Sequence, residues 1–350
     1  ITGHGQVGNT SCCEWKNNTH KLLLDGVQRF DWSIYRQTAC GDSPNPGQGG
    51  TWPYAREGWC PGDLVEEYGH DITPFVTPGQ SVQIDYDITP VNAGDPAEGG
   101  GNYIMAMDLI SYSAPNFQND AGIVDILNPN NYEYYRKWNP SCSTPRVIIQ
   151  NTGEQMLTSC VIRISLASGQ FIDHSWSGNL SFLQKEIVEI PVPDVYWWQT
   201  GGGASEFTAE IRDVQGTDAD EYVKNNKKMV KYNIPELIPG QFLVWFNTNN
   251  RANENKWRLT DEAGNIIFER TSLTNTTDYK DTFDLDAGCY SLIIEDSDSD
   301  GLGYWYSNQV EGETNGSFRV KVVGGSIVET FPRDFGNYHQ YNFTVGAYLG

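Results

Sequence analysis

The sequence predicts an all-β protein made of three β-sandwich domains. Two observations carry that prediction. Helical periodicity is nearly absent, while short runs of alternating apolar and polar residues occur throughout. Clusters of Gly, Pro, Asn and Asp separate these runs at intervals that suit sandwiches. The aromatic content, 13% with 11 Trp and 19 Tyr, agrees, because such residues fill sheet cores. The same residues also stack on sugars, a second use that the core reading outweighs.

The strands follow in order. Lys21–Leu24, Val82–Tyr86 and Tyr103–Ile110 alternate as strands do, and so do Arg146–Gln150, Cys160–Leu166 and Ile187–Ile190. Phe242–Phe246, Lys256–Leu259, Ile266–Glu269, Tyr290–Glu295, Phe318–Val323 and Tyr341–Val345 complete the series. Asn116–Tyr132 reads as one interdomain connector. The polar stretch Asp218–Lys231 reads as a second, solvated one. The three domains are therefore expected at 1–120, 121–230 and 231–350. Tyr196-Trp197-Trp198 reads as core packing, and its alternation as a strand leaves Trp197 alone on one face.

Composition narrows the function. Acidic residues number 45 against 23 basic ones, for a net charge of −22. Such a surface repels phosphate backbones and anionic membranes, which excludes nucleic acid as a partner, and it suits cations. No run of eighteen apolar residues exists, so no membrane insertion is expected. Seven cysteines without a Cys-x-x-Cys pair argue for disulfides outside the cell rather than zinc. Cys40 and Cys60 flank a Gly/Pro/Trp-rich loop, and Cys142 and Cys160 bracket a segment that reads as a hairpin; both pairs are expected to be oxidised. Cys12, Cys13 and Cys289 have no assigned pairing, and an odd total leaves at least one thiol outside intrachain bonds.

Residues 1–110 carry the most specific pattern. Gly3-His4-Gly5 precedes Cys12-Cys13-Glu14-Trp15, then come His20, Arg36 and Cys40. Gln48-Gly49-Gly50-Thr51-Trp52 follows, then Ala55-Arg56-Glu57-Gly58-Trp59-Cys60-Pro61-Gly62. This region resembles the second jelly roll of the peptide-N-glycosidase F family, and more closely its secreted bacterial homologues. The resemblance implies a Gram-negative bacterial protein, extracellular or at the cell surface. Its partners would be glycans, glycoproteins or other surface proteins. The family cleaves the amide between Asn and the first GlcNAc of an N-glycan, at a site between two jelly rolls. Glu14 falls where the family has an active-site glutamate, and Trp15, Trp52, Arg56 and Trp59 are the implied ligand contacts. The family's essential aspartate belongs to the other jelly roll, expected before residue 1. Lys16 stands where the family closes a short disulfide loop. The implied site is therefore incomplete, and catalysis by this chain alone is not expected. A copper site of the kind found in other two-jelly-roll enzymes needs a His-x-His pair, and the five histidines here are isolated, so no copper is expected.

The second region resembles Ig-like spacer modules, with Asn151-Thr152-Gly153 as a turn and Ile190-Pro191-Val192 bounding a strand. The third carries Asp296-Ser297-Asp298-Ser299-Asp300-Gly301. Alternating carboxylates in a tight turn converge on a hard cation, so Asp296, Asp298 and Asp300 are the candidate calcium ligands. Ser307 occupies the twelfth position, which excludes an EF-hand. The flanking Leu285–Tyr290 and Phe331–Gly336 resemble a calcium-containing β-sandwich found near the ends of secreted bacterial proteins.

Overall fold

A computed structural model describes residues 1–5, 12–36, 39–43, 51–89, 100–198, 205–216 and 220–346. Gln48–Gly50 of the family-like loop lies outside them. The protein is all-β. Helical pieces among the described residues are single short turns. The chain divides into two compact units. The first comprises Ile1–Leu109 with Asp298–Glu311 and Asp334–Asn337; the second takes the remainder.

The first unit holds strands β1 (Thr2–Gly5), β2 (Thr19–Leu24), β3 (Val27–Ser33), β4 (Ile84–Ile88) and β5 (Gly101–Ile104). They form a three-stranded sheet, β3-β2-β4, and a pair, β1-β5, all antiparallel. Two segments distant in sequence join this unit for a local reason. Gly336, at φ 71°, brings its backbone against Gly41, where a Cβ would meet the Gly41 oxygen at 2.2 Å. Asn337 N donates to Gly41 O at 2.8 Å, and Trp52 Nε1 donates to Asp334 Oδ1 at 2.9 Å. The expected division into three consecutive domains therefore differs from the observed one, because turns from the last third of the chain belong with the first.

The expected strand Tyr103–Ile110 ends at Ile104. Residues 104–114 are all exposed, among them Met107, Leu109, Ile110 and Tyr112. Exposed apolar chain without regular pairing is the preferred point of proteolytic nicking. Chymotrypsin under native conditions is expected to cut first between Met105 and Tyr112, read by mass spectrometry of the fragments. First cleavage elsewhere would show this segment covered in solution.

The second unit begins with one sandwich. Its strands are β6 (Ala121–Asn128), β7 (Arg146–Asn151), β8 (Leu157–Leu166), β9 (Phe171–Leu180), β10 (Lys185–Glu189), β11 (Glu206–Arg212) and β12 (Lys227–Lys231). Sheet β10-β7-β6 faces sheet β12-β11-β8-β9. Alternate residues of β8 (Cys160, Ile162, Ile164, Leu166) and β11 (Phe207, Ala209, Ile211) point into one core with Val147 and Ile149. Two connectors read from the sequence are thus corrected. The first contains β6, held by buried Ile123 and Ile126. The second contains β12, an edge strand whose lysines guard that edge against further pairing. Trp197 and Trp198 are both buried, 4.9 Å apart and T-shaped, in a turn rather than a strand.

A second sandwich follows in the same unit. It comprises β13 (Leu237–Ile238), β14 (Gln241–Asn247), β15 (Asn255–Asp261), β16 (Ile266–Arg270), β17 (Asp278–Asp284), β18 (Gly288–Asp296), β19 (Ser317–Val322), β20 (Ile327–Thr330) and β21 (Tyr338–Val345). Sheets β13-β21-β18-β15-β16 and β17-β14-β19-β20 enclose an aromatic core. Trp257 packs 5.5 Å from Phe318, and Phe242 lies 5.4 Å from Phe343. Burying each such ring contributes about 1.5–3 kcal/mol.

His339 of β21 packs edge-on against Phe331 at 4.6 Å. Burial, then Arg136 and Lys137, hold its imidazole down to about 3. The unfolded chain protonates near the ordinary value of 6.5. The neutral folded ring is therefore favoured fully above that pH, and its contribution is lost as pH falls from 6.5 toward 3. Unfolding free energy is expected to drop below neutrality with a limiting slope of about 1.4 kcal/mol per pH unit. Replacing His339 with Phe should flatten that slope in urea titrations; an unchanged slope would show the ring accessible to protons.

Candidate functional site

The family-like region folds around one buried ion pair. Glu14 Oε1 accepts from Arg56 Nε at 3.2 Å, and Glu14 Oε2 accepts from Gly5 N at 3.0 Å. The Arg56 guanidinium also donates Nη1 to the carbonyls of Trp52 (3.3 Å) and Tyr54 (2.8 Å), and Nη2 to Thr51 O (2.9 Å) and Oγ1 (3.0 Å). All five N–H donors of the guanidinium are thereby used. Trp15 and Trp59 cover its faces, with ring centres 4.5 and 5.0 Å away. Burial pulls the guanidinium below its ordinary pKa, and Glu14 pulls it back up.

This arrangement corrects part of the expected ligand set. Arg56 is 4% exposed and Trp52 is fully buried, its indole spent on Asp334, so neither offers a surface to a ligand. Trp15 and Trp59 are partly exposed. Trp59 Nε1 donates to Gly3 O at 2.9 Å, and His4 lies 5.2 Å from its ring. Trp15 and Trp59 are the accessible face that remains.

Sequence reading missed a second polar cluster beneath it. His20 and Glu57 are fully buried and joined, Nε2 to Oε1, at 2.9 Å. Tyr86 Oη bonds His20 Nδ1, and Asn18 N donates to Glu57 Oε1 at 3.2 Å. Asn18 Nδ2 in turn bonds Tyr103 Oη at 2.6 Å and donates to Cys12 O at 2.8 Å. Burial drives the Tyr86 and Tyr103 hydroxyls upward, Tyr103 to about 12. The cluster fastens β2, β4 and β5 to the Cys12–Glu57 region. His20 and Glu57 both stand in the family-like pattern, but nothing in their spacing pairs them.

The cysteines depart from expectation in one pair. Cys40 bonds Cys60, and the neighbours Cys12 and Cys13 bond each other. Cys142 bonds Cys289, 147 residues away, and not Cys160. Cys160 faces into the core from β8, out of reach of any partner, and is the free thiol. Burial, then Asp220 and Glu186, push it up to about 12, so it is unreactive.

The acidic turn splits. Asp298, Asp300 and Glu311 bring carboxylate oxygens within 4.8 Å of one another, with Asp300 5% exposed. Ser299 and Gly301, at φ 72° and 74°, make the turn that points them together. Asp296 ends β18 in the other unit and accepts from Asn255 Nδ2. Glu311 thus replaces Asp296 in the cluster, and no spacing rule reaches it from the turn. The cluster's field is felt nearby: burial first, then Glu311, Asp298 and Asp300 among others push the Tyr54 hydroxyl up to about 12. Three carboxylate oxygens at such separations suit a hard divalent cation.

Fold and site define an all-β, disulfide-tied protein whose first region is organised around a Trp–Arg–Glu cluster. Residues 1–110 match the family model described as Peptide-N-glycosidase F, C terminal. That match bears out the resemblance read from the Cys12–Gly62 motifs. No curated protein matches the chain. No helix among the described residues is long and apolar enough to cross a membrane.

Proposed function

We propose that this chain is an exported bacterial protein, extracellular or at the cell surface, that recognises N-glycoproteins without cleaving them. The peptide-N-glycosidase F-like region supplies recognition, and the two following sandwiches serve as an adhesive scaffold. The observation that carries this reading is the Glu14–Arg56 pair. A carboxylate that positions water or moves a proton must face its substrate. Glu14 faces Arg56 and the Gly5 amide instead. Calcium, held by Asp298, Asp300 and Glu311, is the structural cofactor of the reading.

The test uses a denatured N-glycoprotein and its enzymatically deglycosylated form. Retention on an immobilised chain is expected for the first and not for the second, with no mobility shift on gels after incubation. Release of the glycan, abolished by Glu14→Gln, would overturn the reading in favour of the C-terminal portion of an amidase that cleaves the Asn–GlcNAc bond. Equal retention of both forms would overturn glycan recognition itself.

A further inference from the structure

The second unit contains a cleft of about 370 Å³ in a part of the chain that the family-like region does not reach. Its floor is the outward face of β21, β18 and β15. Pairing registers place Gln340 beside Ile293, and Ile293 beside Arg258. One step along the strands, Asn342, Ser291 and Thr260 form a parallel row. Successive outward residues thus set two carboxamides, two hydroxyls and a guanidinium in one plane, with Ile293 as the single apolar member. The wall is the Trp138–Arg146 segment, and the Cys142–Cys289 bond ties wall to floor. A cleft closed covalently needs little ordering on binding.

The wall offers a fixed aromatic surface. Trp138 is 41% exposed and stacks on Tyr135 at 5.8 Å. Tyr135 Oη donates to Asp125 Oδ2 at 2.5 Å, and Asp125 pairs with Lys228 at 2.8 Å. This chain of interactions holds the indole in one orientation.

Charge and polarity narrow the ligand. Arg146 is paired with Glu189 at 2.9 Å, and Arg258 with Glu295 at 2.7 Å. Asp261 and Glu262 add negative charge to the lining. A phosphate or polycarboxylate therefore gains nothing from the two arginines. The polar floor gives an apolar molecule no place to shed water. A neutral ring rich in hydroxyls satisfies both limits. Asn342 Oδ1 already accepts from Ser291 Oγ and Gln340 Nε2, which fixes these side chains, so the sugar's hydroxyls pair with Gln340 Oε1 and Asn342 Nδ2, and its C–H face lies on the indole.

We propose that this cleft is a saccharide-binding site for a neutral unit of one or two rings. Its volume falls in the range of small-ligand clefts. The proposal deepens the glycan-recognition reading and rests on it for the source of the sugar, not for the site.

The test titrates the whole chain with N,N′-diacetylchitobiose and, separately, maltose. Binding is followed by saturation-transfer NMR and tryptophan fluorescence. Saturable binding of at least one is expected, weakened about tenfold by Trp138→Ala. Gln340→Ala is expected to weaken it severalfold. Thermal unfolding of both variants verifies that each remains folded; Trp138 sits at the surface, so its removal leaves the core intact. No saturation of either sugar up to about 10 mM overturns the proposal. So does binding that folded Trp138→Ala and Gln340→Ala leave unchanged. Glycoprotein retention, measured on the same samples, separates the two readings. Retention that persists while the cleft takes no sugar removes the cleft alone. Sugar binding without retention of glycoprotein removes the glycoprotein reading alone.

Discussion

Replacing Arg56 with alanine is expected to lower the unfolding free energy by about 3–5 kcal/mol. The loss follows from what the guanidinium satisfies. Without it, the buried Glu14 carboxylate loses its counterion, and the carbonyls of Thr51, Trp52 and Tyr54 lose their shared partner. Trp15 and Trp59 lose the cation between them. Arg56→Lys should recover less than half of the loss. An ammonium offers three donors from one point and cannot reach Glu14 and three carbonyls together. Glu14→Gln keeps an acceptor for Gly5 but leaves Arg56 charged without its counterion, at a smaller expected cost of about 1–3 kcal/mol. Urea unfolding followed by tryptophan emission reads all three. An Arg56→Ala protein as stable as the parent would mean that Arg56 is not a brace, and would return it to the ligand contacts.

The sequence displayed the strands whose one face is apolar. In β14, Phe242, Val244 and Phe246 alternate with half-exposed neighbours, and the structure buries that face. Strands with charge on alternate positions were not legible. β17 reads Asp-Tyr-Lys-Asp-Thr-Phe-Asp and is a strand because β14 pairs with it along its whole length, a long-range fact. β6 hid inside a connector because Asp125 and Asn128 interrupt its apolar run, yet Ile123 and Ile126 anchor it. At the site, the Cys12–Gly62 motifs were readable as a family pattern. The occupation of Glu14 was not, since Arg56 lies 42 positions further on. The Cys142–Cys289 pair depends on how residues 147 apart meet, and Glu311 reaches Asp298 only through the helical turn Ser307–Glu311. Local spacing carries no information about either.

Calcium at excess over its dissociation constant is expected to raise the melting temperature by several degrees, and a chelator to remove the gain. A ligand bound only by the folded state stabilises it by about 2.7 kcal/mol at a hundredfold excess. The cluster makes a sharper prediction through its own repulsion. Asp298, Asp300 and Glu311 place three like charges within 4.8 Å, and one of them is buried. Without a cation that proximity opposes folding; with one, the same charges are the binding energy. Asp300→Asn should therefore match or exceed the parent's melting temperature in chelator and fall below it in calcium. Glu311→Gln should do the same, which tests the ligand that the acidic turn does not contain. Asp296→Asn should retain the calcium response, because Asp296 bonds Asn255 instead of joining the cluster. Magnesium should raise the melting temperature less than calcium, since it demands octahedral geometry and sheds water reluctantly. Scanning calorimetry in paired calcium and chelator buffers measures each case. Parent curves that coincide in the two buffers would remove the metal from the proposed function, and a calcium response kept by Glu311→Gln would return the ligand set to the turn alone.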